Sequence, residues 1–276
     1  MDTETILAFL VVTSGSIKLQ SLSVYRLAIR ALHLDANLKD PTNAPIIKNF
    51  MAGHRRDQGI ASSPMTAFRT EDVVAMCRHH DVIGGISAIR AKAMLLVAYS
   101  GALRGDEVVH VRREHLTFSS EGMILTIPKS KTDQEAVGVT IPIVKGLNLE
   151  TCPVQAVKDF MEVIDAKLGS CSDRGWLFPA LRPHPWASDS MRIYKVPSTI
   201  ITFRKELRAA VEAIGLDPGR YATHSCPSGH ATTVAKNGAT LHDLMAHGRW
   251  ASVKMAMVYI QAGRAFSDST SNLLGL

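Results

Sequence analysis

The chain has 276 residues, 46% of them apolar, which suffices for a substantial core and excludes a wholly disordered protein. No window approaches 18 uninterrupted apolar residues, and the start MDTETILAFLVV is acidic rather than basic, so the expectation is a soluble cytoplasmic protein with no membrane span and no signal peptide. The excess of 31 Lys+Arg over 25 Asp+Glu gives a net charge of +6, the sign that suits a phosphate-rich partner. The four cysteines are dispersed and form no CxxC pair, which argues against a disulfide framework or a thiolate zinc site.

In chain order, a first helix is expected from Thr3 to Val12. A second spans Leu22 to Leu34, where Leu22, Tyr25, Ala28, Ile29 and Leu32 recur at three- and four-residue steps. Asp40-Pro41-Thr42 marks a turn before a third helix from Ala44 to about Gly53. The basic cluster His54-Arg55-Arg56 reads equally as a helix end or as a phosphate contact. The Gly, Ser and Pro content of Gln58 to Met65 marks a linker, which gives a small all-α domain over residues 1–62 and a larger one over 63–276.

Beyond the linker, Thr70 is the expected N-cap of a helix running to about His79, with Glu71 and Asp72 in its first turn. The helix from Ser87 to Tyr99 is apolar over most of its surface and therefore buried. From Leu116 to Val144 the period changes to that of strands, which predicts a small three-stranded antiparallel sheet with a polar tip at Lys129-Ser130-Lys131-Thr132-Asp133-Gln134. Pro153 to Leu168 reads as an amphipathic helix, Gly169 to Pro197 as a loop-rich insertion, and Ile200 to Ile214 as helix again. The fold class is thus mainly α.

Four stretches carry chemistry: SGALRGDEVVHVRREHL around Arg104, the KSKTD tip followed by VTIPI, THS at His224, and the HGRW corner with the VYI ending at Tyr259. In that order and at those separations they resemble the tyrosine recombinases, or phage integrases, over nearly the whole chain. The resemblance implies cleavage and rejoining of duplex DNA through a 3′-phosphotyrosyl intermediate, without metal or other cofactor. It further implies a homo-tetramer on DNA, a mobile-element or DNA-integration context, a helical core-binding domain before the catalytic one, and a tail, Phe266 to Leu276, that docks on a neighbouring subunit. The three helices that fit residues 1–62 are fewer than the family's DNA clamp usually carries, which suggests a truncated start.

The step so implied gathers negative charge on nonbridging phosphate oxygens, where planar cationic donors are wanted. By resemblance Arg104 is the first catalytic arginine, with Glu107 one turn on to orient it. Lys131, with Lys129 as competitor, is the general acid for the leaving 5′-oxygen. His224 opens the His-x-x-Arg motif, Trp250 stands at the family's His/Trp position, and Tyr259, nine residues later, is the nucleophile. A tyrosine ordinarily loses its proton only near pH 10, so cations must surround it. His247 and Arg249 share the corner without matching a motif position. Pro227 departs from the pattern, because the family carries its second catalytic arginine there; Arg220 and His230 are the nearby donors that would reach the phosphate instead. The alternative function is a catalytically impaired, DNA-binding remnant of an integrase.

Overall fold

The structure, a computed structural model, describes residues 2–58, 65–128, 138–168, 175–184, 187–265, 269 and 271. The chain divides into two compact units, Met1–Pro64 and Met65–Leu276. In the first, α1 (Thr3–Ser14), α2 (Leu19–Asp35) and α3 (Pro45–Asp57) enclose a core of Ile6, Leu10, Leu19, Leu22, Ile47 and Met51. The Asp2 carboxylate caps α1 by accepting the Thr5 amide at 2.8 Å, and Asp40 accepts the Thr42 amide at 2.9 Å in the turn before α3. Helix α3 runs past Gly53, so His54, Arg55 and Arg56 form its last turn, where cations meet the negative end of the helix dipole.

The second unit is built around α5 (Gly85–Ser100). Its alanines, Ala88, Ala91, Ala93 and Ala98, are buried and let neighbouring helices approach closely, while Met94, Leu95, Leu96 and Val97 fill the space between. Around it pack α4 (Thr70–Ile83), α7 (Pro153–Leu168), α8 (Ile200–Ala213) and α9 (Ser225–Lys236). Each fully buried large side chain contributes about 1.5–3 kcal/mol. Arg90, polar in an apolar helix, is not at the surface: its guanidinium donates to the Pro179 carbonyl at 2.9 Å and pairs with Glu206, tying α5 to α8. Burial raises the Glu206 carboxyl above its ordinary range.

The expected sheet forms, with β1 (Leu116–Phe118), β2 (Gly122–Ile127) and β3 (Val139–Val144) antiparallel in that order. Met123 faces Ile143 and Leu125 faces Ile141, all four buried, while Ile124 points outward, as the two-residue period requires. Two local expectations are corrected. Helix α4 begins at Thr70 with Arg69 as its N-cap, because the Asp72 carboxylate reaches back to accept the Arg69 amide at 3.0 Å. The loop-rich insertion is a hairpin of β4 (Pro179–His184) and β5 (Ala187–Pro197), in which Leu181 pairs with Ile193 against the core; its prolines hide the alternation in the sequence. The chain closes with α10 (Leu241–Gly248) and α11 (Val253–Gly263), which pack with α9 around a separate small core of Ala231, Ala235, Leu244 and Ile260. Among the described residues no helix is long and apolar enough to cross a membrane.

Candidate active site

Helix α5 ends at Ser100, and the chain turns through Ala102, which takes a left-handed conformation with φ 48°, into the short helix α6 (Gly105–Val109). Arg104 is the extended residue before α6. Its amide donates to Glu107 Oε2 at 2.8 Å and its Nη1 to Oε1 at 3.2 Å, so the glutamate caps the helix and orients the arginine at once. The rest of the guanidinium has no partner among the described residues, and it lines a groove of about 620 Å³ together with Arg112, Trp176 and the end of β2 at Ile127 and Pro128. A Cβ on Gly105 would stand 2.7 Å from Thr223, so only glycine lets the Arg104 segment lie this close to the His224 segment.

His224 precedes α9 as its N-cap residue, and the Ser228 amide donates to its carbonyl at 3.3 Å. The residue is solvent-accessible, yet its imidazole is held below the ordinary histidine range, first by partial desolvation of the ring and then by the charge of Arg104. Ser225 is the first residue of α9, and its hydroxyl accepts the Ala222 amide at 3.1 Å. Pro227 is the third residue of α9 and is buried. Its missing N–H belongs to the first turn, where amides have no helical acceptor, so proline costs the helix nothing.

His230 does not take the place of the absent arginine. Its Nδ1 donates to the Tyr99 carbonyl at 2.9 Å, and its ring stacks on His247 at 4.6 Å between centroids. Burial, reinforced by His247, pushes its pKa down to about 4. Buried His80 on α4 is likewise pushed down to about 4. Unfolded histidines take up protons below about 6.5, whereas these two resist until about pH 4, so stability falls as pH falls through that window. His230 alone contributes on the order of 3 kcal/mol to that loss. Thermal unfolding followed from pH 7 to pH 4 shows the slope, and His230→Asn, which keeps a donor at the Nδ1 position without titrating, removes the His230 share.

Trp250 and Tyr259 lie ring on ring, with centroids 4.9 Å apart and planes 21° from parallel. The nine-residue step runs from the turn after α10 through the first two turns of α11, which sets both rings on the small core. Among the described residues the Tyr259 hydroxyl, the Trp250 indole N–H and the His224 ring nitrogens make no hydrogen bond. Arg249, immediately before Trp250, is the group whose weight the motif pattern understates. Its side chain is 4% exposed, and its Nη2 donates to Glu107 Oε2 at 2.8 Å, so one carboxylate serves two arginines. Contacts thus run from Arg104 through Glu107 to Arg249, whose chain neighbour Trp250 stacks on Tyr259. Lys131 and Lys129 lie outside the described residues, as does most of the tail from Phe266. No group of three His, Cys, Asp or Glu side chains among the described residues is placed to hold a metal.

The profile of the phage integrase family matches residues 65–265. The chain is 26% identical over 275 residues to an integrase/recombinase xerD homolog of Selenomonas ruminantium, covering 98% of this chain and 76% of the relative. Its fold is similar to that of the XerH site-specific recombinase, solved in a post-cleavage complex with palindromic difH substrate, with a TM-score of 0.72 at 15% identity over all of this chain and 73% of XerH. It is also similar to the Tn1549 transposon integrase in complex with transposon right end DNA, with a TM-score of 0.64 at 12% identity over all of this chain and 86% of that one. The family match covers most of the chain and includes every described motif, so the chain belongs to the phage integrase family.

Proposed function

We propose that this protein is a site-specific DNA recombinase of the cytoplasm that cleaves and rejoins duplex DNA through a 3′-phosphotyrosyl link on Tyr259, working as a homo-tetramer on two duplexes. The observation that carries the reading is the set of uncommitted polar groups gathered in one unit. Two nitrogens of Arg104, the His224 ring, the Trp250 N–H and the Tyr259 hydroxyl have no hydrogen-bond partner among the described residues, while behind them both Glu107 oxygens and both terminal nitrogens of Arg249 are engaged. A phosphodiester supplies acceptors for the first set.

In this reading Arg104 donates to a nonbridging oxygen, Trp250 adds a second phosphate contact, and the Tyr259 oxygen attacks phosphorus as neutral His224 accepts its proton. The P–O5′ bond breaks, and Lys131 delivers a proton to the leaving 5′-oxygen. Strand β2 ends at the groove that Arg104 lines, and Lys131 follows it in the sequence. The unit Met1–Pro64 serves as a helical DNA-binding domain, with the basic end of α3 suited to backbone phosphate.

The test is a nicked suicide duplex carrying the DNA that flanks the gene. A covalent protein–DNA adduct forms and Tyr259→Phe abolishes it; an adduct that survives Tyr259→Phe rejects the assignment. If the parent chain binds duplex with a steep salt dependence yet yields no adduct while Pro227→Arg does, the protein is the impaired binder that Pro227 suggests.

A further inference from the structure

The end of α5 is gripped from outside in an unusual order. His230 Nδ1 donates to the carbonyl of Tyr99 at 2.9 Å and His247 Nε2 to that of Ser100 at 2.9 Å. Arg249 Nη1 then donates to Gly101 at 3.2 Å, and Nη2 to Ala102 at 3.2 Å. Four successive carbonyls are thus each met by a side chain from α9 or from the end of α10. Carbonyls only accept, so His230 carries its proton on Nδ1 and His247 on Nε2. The two rings lie stacked within 7° of parallel, and burial holds both below the ordinary histidine range, which keeps these tautomers neutral and in place.

Two further observations single out Arg249. It ends α10 in the left-handed region with φ 56°, and Ala102, whose carbonyl it holds, is left-handed as well at φ 48°. These are two of the three non-glycine residues with positive φ among the described residues. Such conformations cost on the order of 1–3 kcal/mol each and persist where surrounding contacts fix them. A further bond, to Glu107 Oε2, places it on the same carboxylate that orients Arg104.

We propose that Arg249, assisted by His230 and His247, is the positioning residue of this site: it fixes the Tyr99–Ala102 turn and Glu107 together, and so sets the direction of the Arg104 guanidinium relative to the Trp250 corner. This rests on the assignment of Arg104 as the phosphate ligand. It also gives the chain a second guanidinium behind the pocket, from an element different from the one that carries Pro227. Arg249 itself is buried with both terminal nitrogens engaged, so it acts through Arg104 and Glu107 rather than on substrate.

The test needs a signal that reports Arg104 without relying on turnover. In 15N spectra of the full chain, the Arg104 Nε–H resonance is assigned by its loss in Arg104→Lys. Arg249→Met moves and broadens it toward the position of a free arginine, and Arg249→Lys, which keeps charge without the planar fork, gives an intermediate shift. His247→Gln, with a donor near the Nε2 position, leaves the resonance in place, whereas His247→Leu moves it; this pair serves if Arg249→Met does not fold. On a nicked duplex the single-turnover cleavage rate of Arg249→Met falls about tenfold to a hundredfold while Kd for duplex stays within about twofold, the mark of lost positioning rather than lost binding. An Arg104 resonance unmoved in both Arg249→Met and His247→Leu overturns the proposal, whatever happens to the melting temperature. Absence of cleavage in the parent chain rejects the recombinase reading and leaves the resonance shift to decide the positioning role.

Discussion

Pro227→Arg raises the single-turnover rate of phosphotyrosyl formation by about a hundredfold to a thousandfold, the effect of one preorganised donor at a transition-state oxygen. Two structural facts favour the substitution, although residue 227 is buried and the guanidinium must reach the phosphate for its charge to be met. Residue 227 lies one helical step after the His224 turn, and its amide is not needed by α9, since the first turn is closed by the Ser228 amide on the His224 carbonyl. The exchange therefore adds a guanidinium without removing a hydrogen bond. The measurement is adduct formation against time on a nicked duplex at saturating protein, with circular dichroism to confirm that α9 is retained. A rate unchanged from the parent would mean that the chain already supplies the missing donor, and Arg220 in the exposed turn Pro218–Arg220 would then be the first residue to replace.

Glu107→Ala lowers the stability of the Met65–Leu276 unit by about 3–5 kcal/mol, because it strands a buried arginine without its counter-charge. Glu107 and Arg249 side chains are 6% and 4% exposed and meet at 2.8 Å. Burial already lowers the Arg249 pKa, with Glu107 as the principal opposing influence, so removal of the carboxylate leaves desolvation unopposed. Urea unfolding at neutral pH reads the loss as a fall in the midpoint at unchanged m value. The double variant Glu107→Ala, Arg249→Met recovers part of it, since removing both charges is far cheaper than removing one. Equal stabilities for Glu107→Ala and the parent would show that water reaches the pair.

Two contacts of the candidate site, Arg104 with Glu107 and Trp250 with Tyr259, were legible in the sequence because that chemistry restricts residue type at fixed spacing. Arg104 with Glu107 three residues on, and Trp250 nine residues before Tyr259, are local patterns whose partners lie within a few turns of chain. The three-stranded sheet was legible for the same reason, through its two-residue period. What escaped depends on contacts across long stretches of chain. Arg249 finds the carbonyls of Gly101 and Ala102 nearly 150 residues away, and nothing near Arg249 announces them. Arg90 reads as a surface arginine until Glu206 and the Pro179 carbonyl are brought to it. The β4–β5 hairpin is hidden because Pro179, Pro183 and Pro197 break the pattern by which strands are recognised, whereas pairing of Leu181 with Ile193 decides its fate.

The small core under α11 sets a mechanical contrast within the site. Only Ala256 and Ile260 of that helix are buried, and beyond its end the Arg264 guanidinium clasps the Ala235 and Ala239 carbonyls at 2.9 and 2.8 Å. The Arg104 turn, by comparison, is anchored in the main core and gripped at four carbonyls. Amide exchange through local opening is therefore expected to run faster along Val253–Gly263 than behind Arg104. The Arg104 turn is thus tied to the main core, while Tyr259 rides on a helix held by a small separate core and by Arg264.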